Sequence, residues 1–281
     1  MRSTRTPTAL IALAAAALSM AVAPLWAQPA SGRRAAGDAQ AAAPFDPSGY
    51  WVSIVTQDWV FRMAVPQRGQ YSDVPLTLQA KQFADAWQSG PDEAAGKQCE
   101  AYGAPAIMQI PERLHIGWQD HDTLRVQSDA GMQTRLLHFQ PSPDAAGAPP
   151  SWQGYTTAQW MLYRAVAQRT PQQAIPPAGE AAAAGTAPAT RAARFGWLQA
   201  VTTHLRAGLL RKNGVPYSAQ TRMTENWQLN DSGEEYGGVW LTVTTILRDP
   251  QYLAGPYVQN ALFNREADGS KWAAAPCSLQ D

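Results

Sequence analysis

Charged side chains embedded in runs of apolar and β-branched residues are where chemistry is first sought in this sequence. Asp58, Arg62, Arg113, Arg125, Arg135, Arg222 and Glu225 are placed in this way. If such runs form the wall of a closed sheet, an inward-facing charge leaves water and must be paired or face a ligand. Arg62, Arg135 and Glu225 lie amid the most apolar neighbours. An internal Arg–Glu pair is the plain reading. The sharper reading has one or two of these arginines binding a ligand carboxylate, with His138 or Tyr155 assisting. The ligand-binding candidates are therefore Arg62, Arg135, His138, Tyr155 and Glu225.

Other chemistries lack their spacings. His115, His121, His138 and His204 form no HExxH, HxH or Cys/His pattern, so no metal motif is present. No G-x-S-x-G elbow, Walker loop or dinucleotide fingerprint occurs, and no cofactor is expected. Arg211-Lys212-Asn213 lies between Gly208 and Gly214 but lacks the phosphate-loop arrangement and reads as a tight turn. Trp51, Trp59, Trp118, Trp160, Trp197, Trp227 and Trp240 all fall on strand candidates. They either fill a core or form an aromatic wall for a hydrophobic or planar ligand.

The elements that must position these residues are mostly extended. Residues 196–250 alternate Val, Thr and Trp with a period of two, and Lys212-Asn213-Gly214 and Gly237-Gly238 punctuate them as turns. A first strand is expected from Gly49 through residue 63, with Asp58 and Arg62 on one side of it. Further strands are expected at 107–110, 113–118, 123–127, 132–139, 151–163, 197–205, 218–229 and 239–247, in an antiparallel meander. One helix is expected over 78–88. Leu78, Phe83, Ala86 and Trp87 would lie on one face, Lys81, Gln82 and Asp85 outward, and Pro91 would end it.

Residues 1–27 have a basic start, a short Ala-rich apolar run and a terminal Ala, the pattern of a secretory signal peptide. The run is too short and Ala-rich for a membrane span. Its removal takes two of the 22 basic side chains and none of the 22 acidic ones, leaving a slightly acidic chain. That balance excludes an electrostatic footprint for nucleic acid or anionic membrane. Residues 28–45 read as a disordered leader and 165–193 as a low-complexity insertion, both too poor in large apolar side chains to pack. Residues 46–281 then form a single domain. Two cysteines, Cys99 and Cys277, suggest one disulfide in an exported chain, the alternatives being two free thiols or a metal site needing further ligands.

Gly49-Tyr50-Trp51, Cys99-x-x-x-Gly103-x-Pro105, Trp197-Leu198-Gln199-Ala200-Val201-Thr202-Thr203 and the motifs around them form an ordered series that resembles a group of uncharacterised exported bacterial proteins built as lipocalin-like β-barrels. Gly49-Tyr50-Trp51 is similar to the G-x-W opening of their first strand, and Cys99-x-x-x-Gly103-x-Pro105 precedes the first meander. Arg135, His138-Phe139, the run from Ser151 to Tyr155, Trp160, Tyr217-Ser218, Thr224-Glu225 and Thr244-x-x-x-x-Asp249-Pro250 follow in order. The resemblance implies an all-β, lipocalin-like antiparallel barrel of roughly eight strands; spacing adds the one short helix, and composition adds the disordered insertion after Tyr163, which departs from the group's otherwise continuous hairpin. It carries no activity over. The expected function is that of a periplasmic or secreted binding protein for a small, mostly apolar or amphipathic ligand with an acidic group. The alternatives are a barrel-cup enzyme, an isomerase or hydrolase with His138 or Glu225 as base, and an envelope interaction protein without a small ligand.

Overall fold

In a computed structural model the described residues are 38–140, 145, 147–163 and 195–279. The expected signal peptide, the expected insertion at 165–193 and most of the expected leader lie outside them.

Nine strands close into a barrel: β1 (Gly49–Ile54), β2 (Arg113–Asp120), β3 (Thr123–Ser128), β4 (Thr134–His138), β5 (Tyr155–Leu162), β6 (Gly196–Thr203), β9 (Arg222–Asp231), β10 (Val239–Arg248) and β11 (Tyr257–Glu266). Between β6 and β9, β7 (Gly208–Arg211) and β8 (Val215–Tyr217) form a separate hairpin. Around the wall the order is β1, β11, β10, β9, β6, β5, β4, β3, β2 and back to β1. The expected all-β barrel is therefore what forms, with nine strands rather than about eight and one pairing of the other sense. β4 and β5 run parallel, Leu137 opposite Thr156 and His138 opposite Thr157. Parallel neighbours need a crossover of about a dozen residues or more, and the Pro-rich stretch between His138 and Tyr155 supplies it.

Alternation decides what fills the barrel. On β9 the buried residues are Met223, Glu225 and Trp227, and on β4 they are Arg135 and Leu137. Trp51, Trp227 and Phe263 are fully buried among Leu114, Ile116, Leu124 and Leu198. Each such side chain contributes about 1.5–3 kcal/mol by leaving water. The barrel's middle is therefore packed.

Several local expectations give way. The first strand ends at Ile54, and the chain turns through Asp58, whose φ is +52°, into α2 (Trp59–Met63). A five-residue apolar run carries both periodicities, so spacing alone does not separate strand from helix there. Trp59 ends up 65% exposed rather than on a strand face. Residues 107–110 are not a strand either. Gly103 caps α5 (Ala104–Ile107), with Pro105 in its first turn, where proline's missing N–H costs nothing.

The expected helix is α3 (Leu78–Ala86), capped by Thr77 Oγ1 accepting from Ala80 N at 3.2 Å. Its buried face is Ala80 and Ala84; Leu78 and Phe83 are exposed. The small residues allow close approach, and a Cβ added at Gly214 would lie 3.0 Å from the Ala84 carbonyl. Pro91 does not end this helix but sits inside a second one, α4 (Ser89–Ala94).

Order also begins earlier than Asp46. α1 (Ala39–Ala42) lies against the β2–β3 turn, its Ala39 N–H donating to Asp122 Oδ1 at 2.9 Å and its Ala39 carbonyl accepting from Trp160 Nε1 at 2.8 Å. α2, α3, α4, α5 and the β7–β8 hairpin gather at the opposite end, where β1 finishes and β9 begins.

Candidate functional site

The five candidate residues separate into three places. Arg135 and Glu225 meet inside the barrel in a two-pronged ion pair, Nη2 to Oε2 at 2.7 Å and Nη1 to Oε1 at 3.2 Å. Arg135 Nη2 also donates to Thr202 Oγ1 at 3.3 Å, and Thr202 and Thr156 share a hydroxyl hydrogen bond of 2.8 Å. With 3% and 0% of their side chains exposed, the two charges satisfy each other away from solvent. His138 and Tyr155 stack on one another at 4.9 Å on the outer face of the wall. Burial lowers the His138 pKa, against an opposing pull from Asp120. The barrel wall thus stands between this ring pair and the Arg135–Glu225 pair.

Arg62 is at the helical end, on α2. Its Nε donates to the Gln109 carbonyl at 2.9 Å and its Nη2 to Ser53 Oγ at 3.1 Å. Burial lowers its pKa from the usual arginine value, while Asp58 and Glu112 pull it back up. Among the described residues no carboxylate forms an ion pair with it.

Arg62 lines a cleft of about 490 Å³ between α2, α5 and β7. Phe61, Ile110 and Leu210 supply apolar surface, and Arg211 and Lys212 add positive charge against one acid, Asp58. Arg211 is already committed, forked onto Asp73 and lying 5.0 Å from the Phe61 ring centre. The cleft can therefore hold an apolar body and present a cation to an acidic group.

Behind it lies a residue the alternation pattern does not reveal. Glu112 is buried, and its Oε2 accepts from Ser128 Oγ while Oε1 has no partner among the described residues. Burial pushes its carboxyl well above the usual range and Asp129 adds to this, with Ser128, Arg62 and Arg135 opposing. It stands between Pro111 and Arg113, just ahead of β2, where strand periodicity says nothing about direction.

A second, larger cleft of about 740 Å³ opens between α3, α4 and the β7–β8 hairpin. Asp92 accepts from Trp87 Nε1 at 2.7 Å and Lys97 Nζ at 2.9 Å. Burial works to raise the Asp92 pKa, but those two donors and Glu100 outweigh it and hold it low. Glu100 goes the other way: burial first, then its hydrogen bond to Asp92, raise its carboxyl to about 7. The segment bearing Glu100 is anchored by the disulfide between Cys99 and Cys277, whose Cα atoms are 5.1 Å apart. Neither Glu100 nor Asp92 stands out in the sequence. Their neighbour Cys99 was the only signal pointing to this loop.

Among the described residues no cluster of three or more His, Cys, Asp or Glu side chains is placed to hold a metal ion. No described helix is long and apolar enough to cross a membrane. No protein-family model, curated protein or solved structure matches the chain.

Proposed function

We propose that this is an exported, lipocalin-like binding protein for a small, mostly apolar ligand carrying an acidic group. The ligand seats at the helical end of the barrel, in the Arg62 cleft, rather than in the packed lumen. The observation that carries this reading is the Arg62 guanidinium, which lines an apolar cleft with no carboxylate bonded to it. The Cys99–Cys277 disulfide supports an oxidising compartment, in keeping with the signal-like residues 1–27. Glu225 has little support as a catalytic base, because both its oxygens are held by Arg135.

Titration with 1-anilinonaphthalene-8-sulfonate, an apolar dye with one acidic group, tests the proposal. Saturable fluorescence enhancement is expected, and Arg62→Gln weakens it by about tenfold or more, the loss of one charge-assisted hydrogen-bonded contact. Equal binding by both proteins would remove Arg62 from the site. A filled barrel with Trp59, Val60 and Met63 exposed on α2 also suits an interaction protein with no small ligand. That reading expects no saturable binding of the dye, so the same titration separates the two.

A further inference from the structure

The short helix α2 has its polarity reversed. Trp59, Val60 and Met63 fall within an arc of about 100° around its axis, and Phe61 and Arg62 occupy the rest of the turn. The first three are 65%, 51% and 63% exposed, whereas Phe61 and Arg62 are half-buried. Three contacts fix this roll of the helix. Arg62 Nε donates to the Gln109 carbonyl at 2.9 Å, Arg62 Nη2 donates to Ser53 Oγ at 3.1 Å, and the Phe61 ring centre lies 5.0 Å from the Arg211 guanidinium. The chain thus holds a cation against the protein and turns a tryptophan, a valine and a methionine to water. Single exposed apolar side chains are ordinary; three on one turn mark a contact surface.

Size, charge and continuity say what makes that contact. The three side chains expose on the order of 300 Å², well under the roughly 800 Å² per partner that a stable protein interface takes. A lipid surface sets no such threshold. Binding there grows with each apolar group inserted, and a tryptophan ring suits the headgroup layer, where its N–H stays hydrated.

From Gln57 to Tyr71 the chain carries Arg62 and Arg68 against Asp58 alone. Lys212 lines the same cleft as Arg62, and Arg211 is offset by Asp73. The surroundings of the apolar face are therefore cationic and complement anionic headgroups, although the whole chain is near neutral. Such local attraction reaches about 10 Å at ordinary salt. Met63 belongs to both surfaces, the outward face of α2 and the wall of the Arg62 cleft. A bilayer that meets the face therefore meets the edge of the cleft.

We infer that Trp59, Val60 and Met63 seat α2 in the headgroup layer of an anionic lipid surface, with the Arg62 cleft at its edge. The choice of lipid over protein rests in part on the Arg62 reading, since an apolar molecule with an acidic group is one that a bilayer holds.

Co-sedimentation of the purified protein with vesicles tests it. Mixed phosphatidylethanolamine and phosphatidylglycerol is the probe, and phosphatidylcholine alone is the comparison. The protein is expected to pellet with the anionic vesicles and less with the neutral ones. Trp59→Ala with Val60→Ala should lower the partition coefficient by about tenfold or more. The same variant should bind the anionic dye in solution as the parent does, since neither residue lines the cleft. Thermal unfolding shows whether it is folded, and Trp59→Ala alone replaces it if not. Absence of pelleting by the parent, or equal pelleting by the folded variant, would overturn the inference. Self-association of the parent without pelleting, lost in the variant, would also overturn it by assigning the face to a second copy of the chain. The two readings fail separately. Arg62-dependent dye binding without vesicle binding removes only the membrane contact. Trp59-dependent vesicle binding, with equal dye binding by the parent and Arg62→Gln, removes only the cleft reading.

Discussion

Arg135 and Glu225 show what burial demands of charge. Each alone would be an uncompensated ion in the core, and together they form a two-pronged pair backed by Thr202. Arg135→Ala should therefore cost about 3–5 kcal/mol by denaturant unfolding, while replacing both by apolar residues of similar volume should be near neutral. A second residue-scale prediction concerns Glu100, whose carboxyl rises from 4.5 to about 7 on folding. The folded state then binds the extra proton between these values, so this group costs stability as pH rises from 4.5 to 7. Glu100→Gln should be more stable than the parent above pH 7, and the gap should close below 4.5. An unchanging gap across that range would contradict the assignment. The sequence-based grouping of His138 with Arg135 runs against strand parity. Arg135 and His138 are an odd step apart, which on a strand puts them on opposite faces, and the structure separates them so. The pairing of Arg135 with Glu225 needed the barrel's closure, which joins strands far apart in sequence.

At the scale of elements, alternation located most strands within a few residues, because one face of each packs inward and the pattern records it. It failed where the chain covers the barrel's end. α2 and α5 are short apolar segments whose direction is set by what they lie against, and local sequence holds little of that. The same holds for α3, where Ala80 and Ala84 rather than the large residues face inward. The motif residues Tyr217-Ser218 and Asp249-Pro250 find a physical explanation here. Asp249 accepts from Ser218 N at 2.6 Å, Ser218 Oγ at 2.8 Å, Thr221 Oγ1 at 2.8 Å, Gln251 N at 2.8 Å and Tyr252 N at 3.1 Å. One carboxylate thereby ties the start of β9 to the loop leaving β10. Asp249→Ala should cost about 3 kcal/mol or more in chemical unfolding, far above the few tenths expected of a surface acid.

For the whole molecule, the wall and the end are two different constructions. The wall is a closed barrel whose described inward side chains are buried, and the helical end supplies the two clefts described. The disulfide joins positions separated by 178 residues and fastens the C-terminal tail to the loop bearing Glu100. In the chain-entropy account a loop of this length contributes about 5 kcal/mol, so Cys99→Ala with Cys277→Ala should lower the unfolding free energy by roughly that amount. A loss of only a few tenths would show that the tail is held by other contacts. The central claim is that the Arg62 cleft receives the acidic group of an apolar ligand. Calorimetric titration of decanoate into the parent and into Arg62→Gln tests it most directly. Saturable binding with one site, weakened about tenfold or more in the variant while its thermal unfolding is unchanged, is the predicted result; no binding by the parent, or equal affinity in both proteins, would contradict it.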